Sequence, residues 1–67
     1  MKYVINIDPI AKSLAYYYGV VVYNAAACTT LRNAKRYKSK IIAKFVAKRL
    51  ERICFNVDTA KVEVVVE

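Results

Sequence analysis

Six basic residues spaced four apart constrain this chain more than any other feature. Arg32, Arg36, Lys40, Lys44, Lys48 and Arg52 form an unbroken i, i+4 series, and residues four apart are surface neighbours on an α-helix. At about 1.5 Å of rise per residue the ridge runs about 30 Å, and each step overshoots one turn by about 40°. A flat partner therefore reaches only part of the row, and a groove or a wrapping partner reaches more. The same segment carries an apolar stripe, Leu31, Ala34, Ile41, Ile42, Phe45, Val46 and Ile53, which clusters on one side when projected at roughly 100° per residue. Lys40, Lys44 and Asn33 lie opposite. The spacing predicts one amphipathic helix from about residue 30 to Ile53, its bulky apolar side packed and its basic side open to solvent. Lys38 and Arg49 project onto the apolar side, where their stems are expected to pack while their charges reach water. Thr29 or Thr30 is the expected N-cap. Arg49 and Arg52 suit the negative end of the helix dipole.

Length and composition bound the rest. At 67 residues, 58% hydrophobic, with one Gly and one Pro, the profile is that of a folded chain. We read residues 1–67 as a single domain whose small core benefits from a partner or a second copy. The net charge of +7 is unevenly placed. Residues 29–54 hold nine Lys/Arg against Glu51, whereas Lys2, Lys12 and Lys61 face Asp8, Asp58, Glu63 and Glu67 elsewhere. Such a field attracts polyanions and speeds encounter with them; the plainer alternative is a solubilising face.

In chain order, Lys2 to Asp8 reads as a first strand. Tyr3, Ile5 and Ile7 share one face, and Lys2, Val4, Asn6 and Asp8 share the other. Asp8-Pro9 ends it and Ile10 to Ser13 connects onward. Ala15 to Tyr23 reads as a second strand, rich in aromatic and β-branched residues and apolar on both faces. One helical layer covers only one of those faces, so the other calls for a protein partner, a dimer or an aromatic platform. Gly19 marks a candidate bulge. Residues 24–30 fit either an extension of the strand or the start of the helix, since alanine favours helix. After the helix, Cys54 to Val57 is a candidate short strand, Asp58-Thr59 a turn, and Lys61 to Val66 the last strand, with Val62, Val64 and Val66 on one face. The expected fold is α+β and two-layered. A mostly antiparallel sheet of three or four strands, in the order β-β-α-β, packs on one long amphipathic helix.

Little in this composition performs chemistry. Histidine is absent, the only glycine is Gly19, and the acids are scattered, so no acid–base pair, phosphate loop or metal-ligand cluster has workable spacing. No catalytic residue, metal or cofactor is expected. Cys28 and Cys54 would flank a helix over 30–53 at a separation far beyond the roughly 7 Å a disulfide spans; both read as reduced packing residues of a cytosolic protein. The longest apolar run, Leu14 to Cys28, is broken by Asn24 and falls short of the roughly 20 residues of a membrane-spanning helix. No secretory leader is evident, and a cytoplasmic location is expected. Of the six tyrosines, Tyr16 and Tyr18 read as packing residues. Tyr17, Tyr23 and Tyr37 are candidates for an interface, by base stacking or as anchors.

These features point to a non-enzymatic binding protein whose candidate contacts are Arg32, Arg36, Lys40, Lys44, Lys48 and Arg52. The first expected partner is nucleic acid, held by phosphates with little sequence preference, because no Asn or Gln stands along the ridge to read bases. The alternative is protein–protein contact with a complex that handles nucleic acid. The size, the basic charge, the lack of catalytic chemistry and the strand–strand–helix–strand order resemble small phage-encoded accessory proteins, including anti-CRISPR inhibitors. That resemblance implies binding to a host defence complex in the host cytoplasm. Attachment of the basic helix to anionic lipid is the least favoured reading, since the flanking strands argue for a packed helix. A homodimer through the second strand is compatible with each of these partners.

Overall fold

The computed structural model describes residues 1–7 and 14–66. The expected Asp8-Pro9 stop and the Ile10–Ser13 connection lie outside the described residues. The fold is α+β: a four-stranded antiparallel sheet carries one α-helix. The strands are β1 (Lys2–Asn6), β2 (Tyr16–Val22), β3 (Ala25–Thr29) and β4 (Lys61–Val65), arranged β3-β2-β1-β4. A short 3-10 turn (Leu31–Asn33) and helix α1 (Lys40–Ile53) lie between β3 and β4.

In and beyond the middle of the chain one open alternative is decided and two expectations are corrected. Residues 24–30 are not helical; Ala25–Thr29 is a strand, so the order is β-β-β-α-β. Tyr23 and Asn24 both adopt positive φ, 50° and 60°, which is the two-residue hairpin turn whose twist matches that of flanking strands. The candidate strand over Cys54 to Val57 is instead a turn that leaves the helix.

The second correction concerns helix length. The helix begins at Lys40, not near residue 30. Ser39 is its N-cap: the Ile42 N–H donates to Ser39 Oγ at 3.3 Å, satisfying one of the otherwise unpaired first-turn donors. Upstream, the backbone is drawn into the sheet. β1 and β2 pair at Asn6↔Tyr16 and then part. The segment 35–37 enters the gap between them. The Lys35 N–H donates to the Tyr17 carbonyl at 2.9 Å, and Tyr37 exchanges both backbone hydrogen bonds with Tyr3 at 2.8 Å. Gly19 makes the parting possible. Its φ is +107°, and a Cβ there would meet Lys35 Cβ and Cδ at 3.3 Å, so a side chain is opposed both by the backbone conformation and by the neighbour. The β2–β3 register shifts between Tyr17 and Val21, as a bulge at this glycine requires.

The core lies between the sheet and α1. Ile5, Ile7, Tyr17, Ala26, Ala47, Leu50, Cys54 and Val57 form one buried cluster, with Tyr37, Val46, Ala60 and Val62 packed against it. Val4 and Ile5 are both fully buried. Because adjacent strand residues point to opposite faces, the far side of β1 is covered as well. On that far side the Glu63 carboxylate accepts from Asn6 Nδ2 at 2.9 Å and from the Tyr16 hydroxyl at 2.8 Å, tying β4, β1 and β2 together.

The helix is also rotated relative to expectation. Its buried residues are Ala43, Ala47 and Leu50, which with Cys54 project within an arc of roughly 60°. Ile41, Phe45 and Arg52 project roughly opposite. Alanines let a helix axis approach closely, and the sheet supplies the bulk in Ile5, Ile7, Tyr17 and Val62. Arg49 therefore sits on an exposed face and has no need to bury its stem.

Candidate interaction surface on the helix

Of the six cations expected to form one ridge, four share α1: Lys40, Lys44, Lys48 and Arg52. All four are exposed. Among the described residues none of the four has a carboxylate in ion-pair contact. Arg32 belongs to the 3-10 turn and is exposed. Arg36 lies in the segment that enters the sheet, where its Nη1 donates to the carbonyls of Leu31 at 2.6 Å, Ala34 at 2.9 Å and Arg32 at 3.3 Å. It thus ties down the 3-10 turn. The continuous six-residue ridge does not exist, because the rod that would have carried it is broken at Ser39.

What the outward face of α1 offers instead is apolar as well as basic. Ile41 is 80% exposed, Phe45 71%, Ile42 56% and Ile53 44%; Phe55, just beyond the helix, is 81% exposed. Four of these belong to, or adjoin, the face carrying Lys48, Arg49 and Arg52. A shallow pocket of about 430 Å³ is lined by Phe45, Lys48, Arg49, Arg52 and Ile53: two apolar walls and three cations. On the flank nearer β4 a second crevice is lined by Lys44, Ala47, Lys48, Glu51, Ala60, Lys61 and Val62. There the Glu51 carboxylate accepts from the Ala60 N–H at 2.7 Å, which fixes the loop that leads into β4. This amphipathic arrangement was hidden in the sequence by the assumption that the bulkiest stripe is the buried one.

The tyrosine candidates divide. Tyr17 is buried in the core, 7% exposed, and is not free to meet a partner, while Tyr37 is half-buried against the same core. Burial lifts the phenol pKa of both above the ordinary 10.0, with a further upward push on Tyr17 from Cys54 and on Tyr37 from Tyr17. Tyr16, as expected, has an internal role. Its pKa is raised first by the hydrogen bond to Glu63, then by burial and the Glu63 charge, against an opposing hydrogen bond from Asn6. Tyr23 stays a candidate: it is 95% exposed at the hairpin tip and holds the left-handed conformation that costs a bulky residue about 1–2 kcal/mol. Tyr18, read as a packing residue, is 53% exposed, and Val20, Val22 and Tyr23 on the same hairpin are exposed as well.

Cys28 and Cys54 are both free thiols, the first exposed and the second buried. Burial raises the Cys54 pKa above its ordinary 9.0. Among the described residues no group of three His, Cys, Asp or Glu side chains lies close enough to hold a metal ion. Among them, too, no helix is long and apolar enough to cross a membrane. Comparison of the chain with protein families, curated proteins and solved structures finds no match.

Proposed function

We propose that this chain is a non-catalytic binding protein that docks, through the outward face of α1, on an acidic and partly apolar surface of a protein complex. Ile41 and Phe45 insert as anchors, and Lys48, Arg49 and Arg52 meet carboxylates around them. The observation that carries this reading is the large exposure of Ile41 and Phe45 on the same face as the cations. Bulky apolar side chains left in water cost roughly 1.5–3 kcal/mol each relative to burial, and contiguous exposed apolar surface rimmed by polar groups marks interaction sites. A surface that only neutralised phosphates would have no use for them.

The second reading is a phosphate-contacting nucleic-acid binder. It is favoured by the exposure of Lys40, Lys44, Lys48 and Arg52, none of which has a carboxylate partner among the described residues. Capture from bacterial lysate, with and without nuclease, separates the two when wild type is compared with Ile41→Ser/Phe45→Ser and with Lys44→Glu/Lys48→Glu/Arg52→Glu. The protein-contact reading expects a defined complex retained after nuclease and lost in both variants. Capture abolished by nuclease and indifferent to the serine variant would transfer the conclusion to nucleic acid. Equal capture by all three chains would refute the site.

A further inference from the structure

The two outer strands of the sheet are treated differently, and the difference points to a second contact. At the β3 edge the Asn56 side chain acts as a short piece of strand: the Ala26 N–H donates to Asn56 Oδ1 at 2.9 Å, and Asn56 Nδ2 donates to the Ala26 carbonyl at 2.9 Å. The Phe55 N–H donates to the Asn24 carbonyl at 3.1 Å, closing the same edge further along. Unpaired edges template association, and proteins commonly block them.

The β4 edge has no such cover among the described residues. Tyr3 sends both its N–H and its carbonyl to Tyr37, away from β4, and Tyr3 stands opposite Val64. In an antiparallel ladder the two members of such a non-bonded pair direct their backbone groups outward. The N–H and carbonyl of Val64, and by alternation those of Val62, therefore face away from β1. The strand has no proline, glycine or bulge, and Val64 and Val66 are 54% and 83% exposed. Edge-to-edge pairing through β2 is closed, because β2 lies between β3 and β1.

We propose that β4 pairs antiparallel with β4 of a second copy about a two-fold axis at Val64, joining the two sheets into one. The occupant is a second copy because the segment is its own complement. With Val64 opposite Val64, Val62 falls opposite Val66, so residues with outward backbone groups meet one another and the valine row becomes continuous across the axis. A C2 contact has this self-matching property by construction. The crevice bearing Lys44, Lys48 and Lys61 adjoins the same strand, so pairing brings like charges of the two copies nearer. Salt screens that repulsion, and the dimer tightens as salt rises. This is opposite to the expected response of a charged contact on α1, so the two sites fail separately.

The test is sedimentation or light scattering over a concentration series at low and high salt, on wild type, Val64→Pro and Val64→Lys. Proline at an outward-facing edge position removes only the outer donor, and lysine is a common edge blocker. Circular dichroism verifies that each variant is folded, and the lysine variant serves if proline unfolds the strand. The expected result is a wild-type dimer, at least tenfold weakened in a folded variant and tighter at high salt. A wild-type monomer throughout the series, or a dimer that persists in the folded variants, overturns the proposal. The second outcome would move the contact to the α1 face or the hairpin tip.

Discussion

The rotation of α1 is open to a direct stability measurement. Leu50 is 2% exposed and packs in the core, whereas Phe45 is 71% exposed on the opposite side. Leu50→Ala removes a buried side chain and leaves a cavity, which costs about 2–5 kcal/mol. Phe45→Ala removes a ring of which less than a third is buried. Full burial of such a ring contributes about 1.5–3 kcal/mol, so the loss is under about 1 kcal/mol. A chain of this size is stable by only about 3–10 kcal/mol, so Leu50→Ala takes a large share, and each kcal/mol lowers Tm by about 4–8 °C. Urea unfolding followed by circular dichroism, at one fixed low protein concentration to keep association out of the comparison, gives both values. The expected result is a Leu50→Ala midpoint far below wild type and a Phe45→Ala midpoint close to it. If Phe45→Ala cost as much as Leu50→Ala, the bulky stripe would be the packed one, and the proposed contact surface would be core.

Further expectations concern the turn, the bulge, the edge and the titrating groups. Gly19→Ala should destabilise by about 1–3 kcal/mol, since φ of +107° belongs to a sparsely populated region for a residue with a Cβ; an unchanged urea midpoint would contradict the bulge. Tyr23→Asn should stabilise by up to about 1 kcal/mol, because asparagine tolerates the left-handed turn that tyrosine resists, and a loss of stability would mean that the exposed ring packs on something. Asn56→Ala should cost about 1–3 kcal/mol by leaving the Ala26 backbone groups unpaired, and hydrogen exchange at Ala26 should accelerate. With pH, the Tyr16, Tyr17, Tyr37 and Cys54 pKa values are all raised by folding. Their neutral forms therefore favour the native state, and this contribution is complete below the ordinary values of 9.0 and 10.0 and is lost as pH climbs through the raised ones. Urea midpoints should accordingly hold steady up to about pH 9 and fall above it; a midpoint that rose with alkaline pH would reverse the sign.

Much of the fold was legible in residue order. The alternation Tyr3, Ile5, Ile7 placed one face of β1 on the core, and the aromatic and β-branched run from Tyr16 to Val22 marked β2. The alternating valines of β4 followed the same logic. These are signals of period two, which hold wherever one face of a strand is buried. Residues 24–30 were undecided because alanine propensity points to helix while the chain pairs Ala25 with Val22 and Ala26 with Val21; tertiary pairing outweighs a propensity of under 1 kcal/mol. The helix starts later than the cation spacing implies, because the four-residue series continues across Ser39 and spacing alone does not register that Tyr37 is held by Tyr3.

By itself, then, the order of residues determined that a basic amphipathic segment faces a small antiparallel sheet, since periodicity and charge are local properties. Which side of that segment turns inward was a tertiary decision. Two stripes compete on α1, one of Ala43, Ala47, Leu50 and Cys54, the other of Ile41, Ile42, Phe45 and Ile53, and a helical wheel weighs them by hydrophobicity alone. Close packing weighs them by fit: against the large side chains of Ile5, Ile7 and Tyr17 the small stripe fits. The bulky stripe is left in water beside the cations, and there it forms the surface on which the proposed function rests.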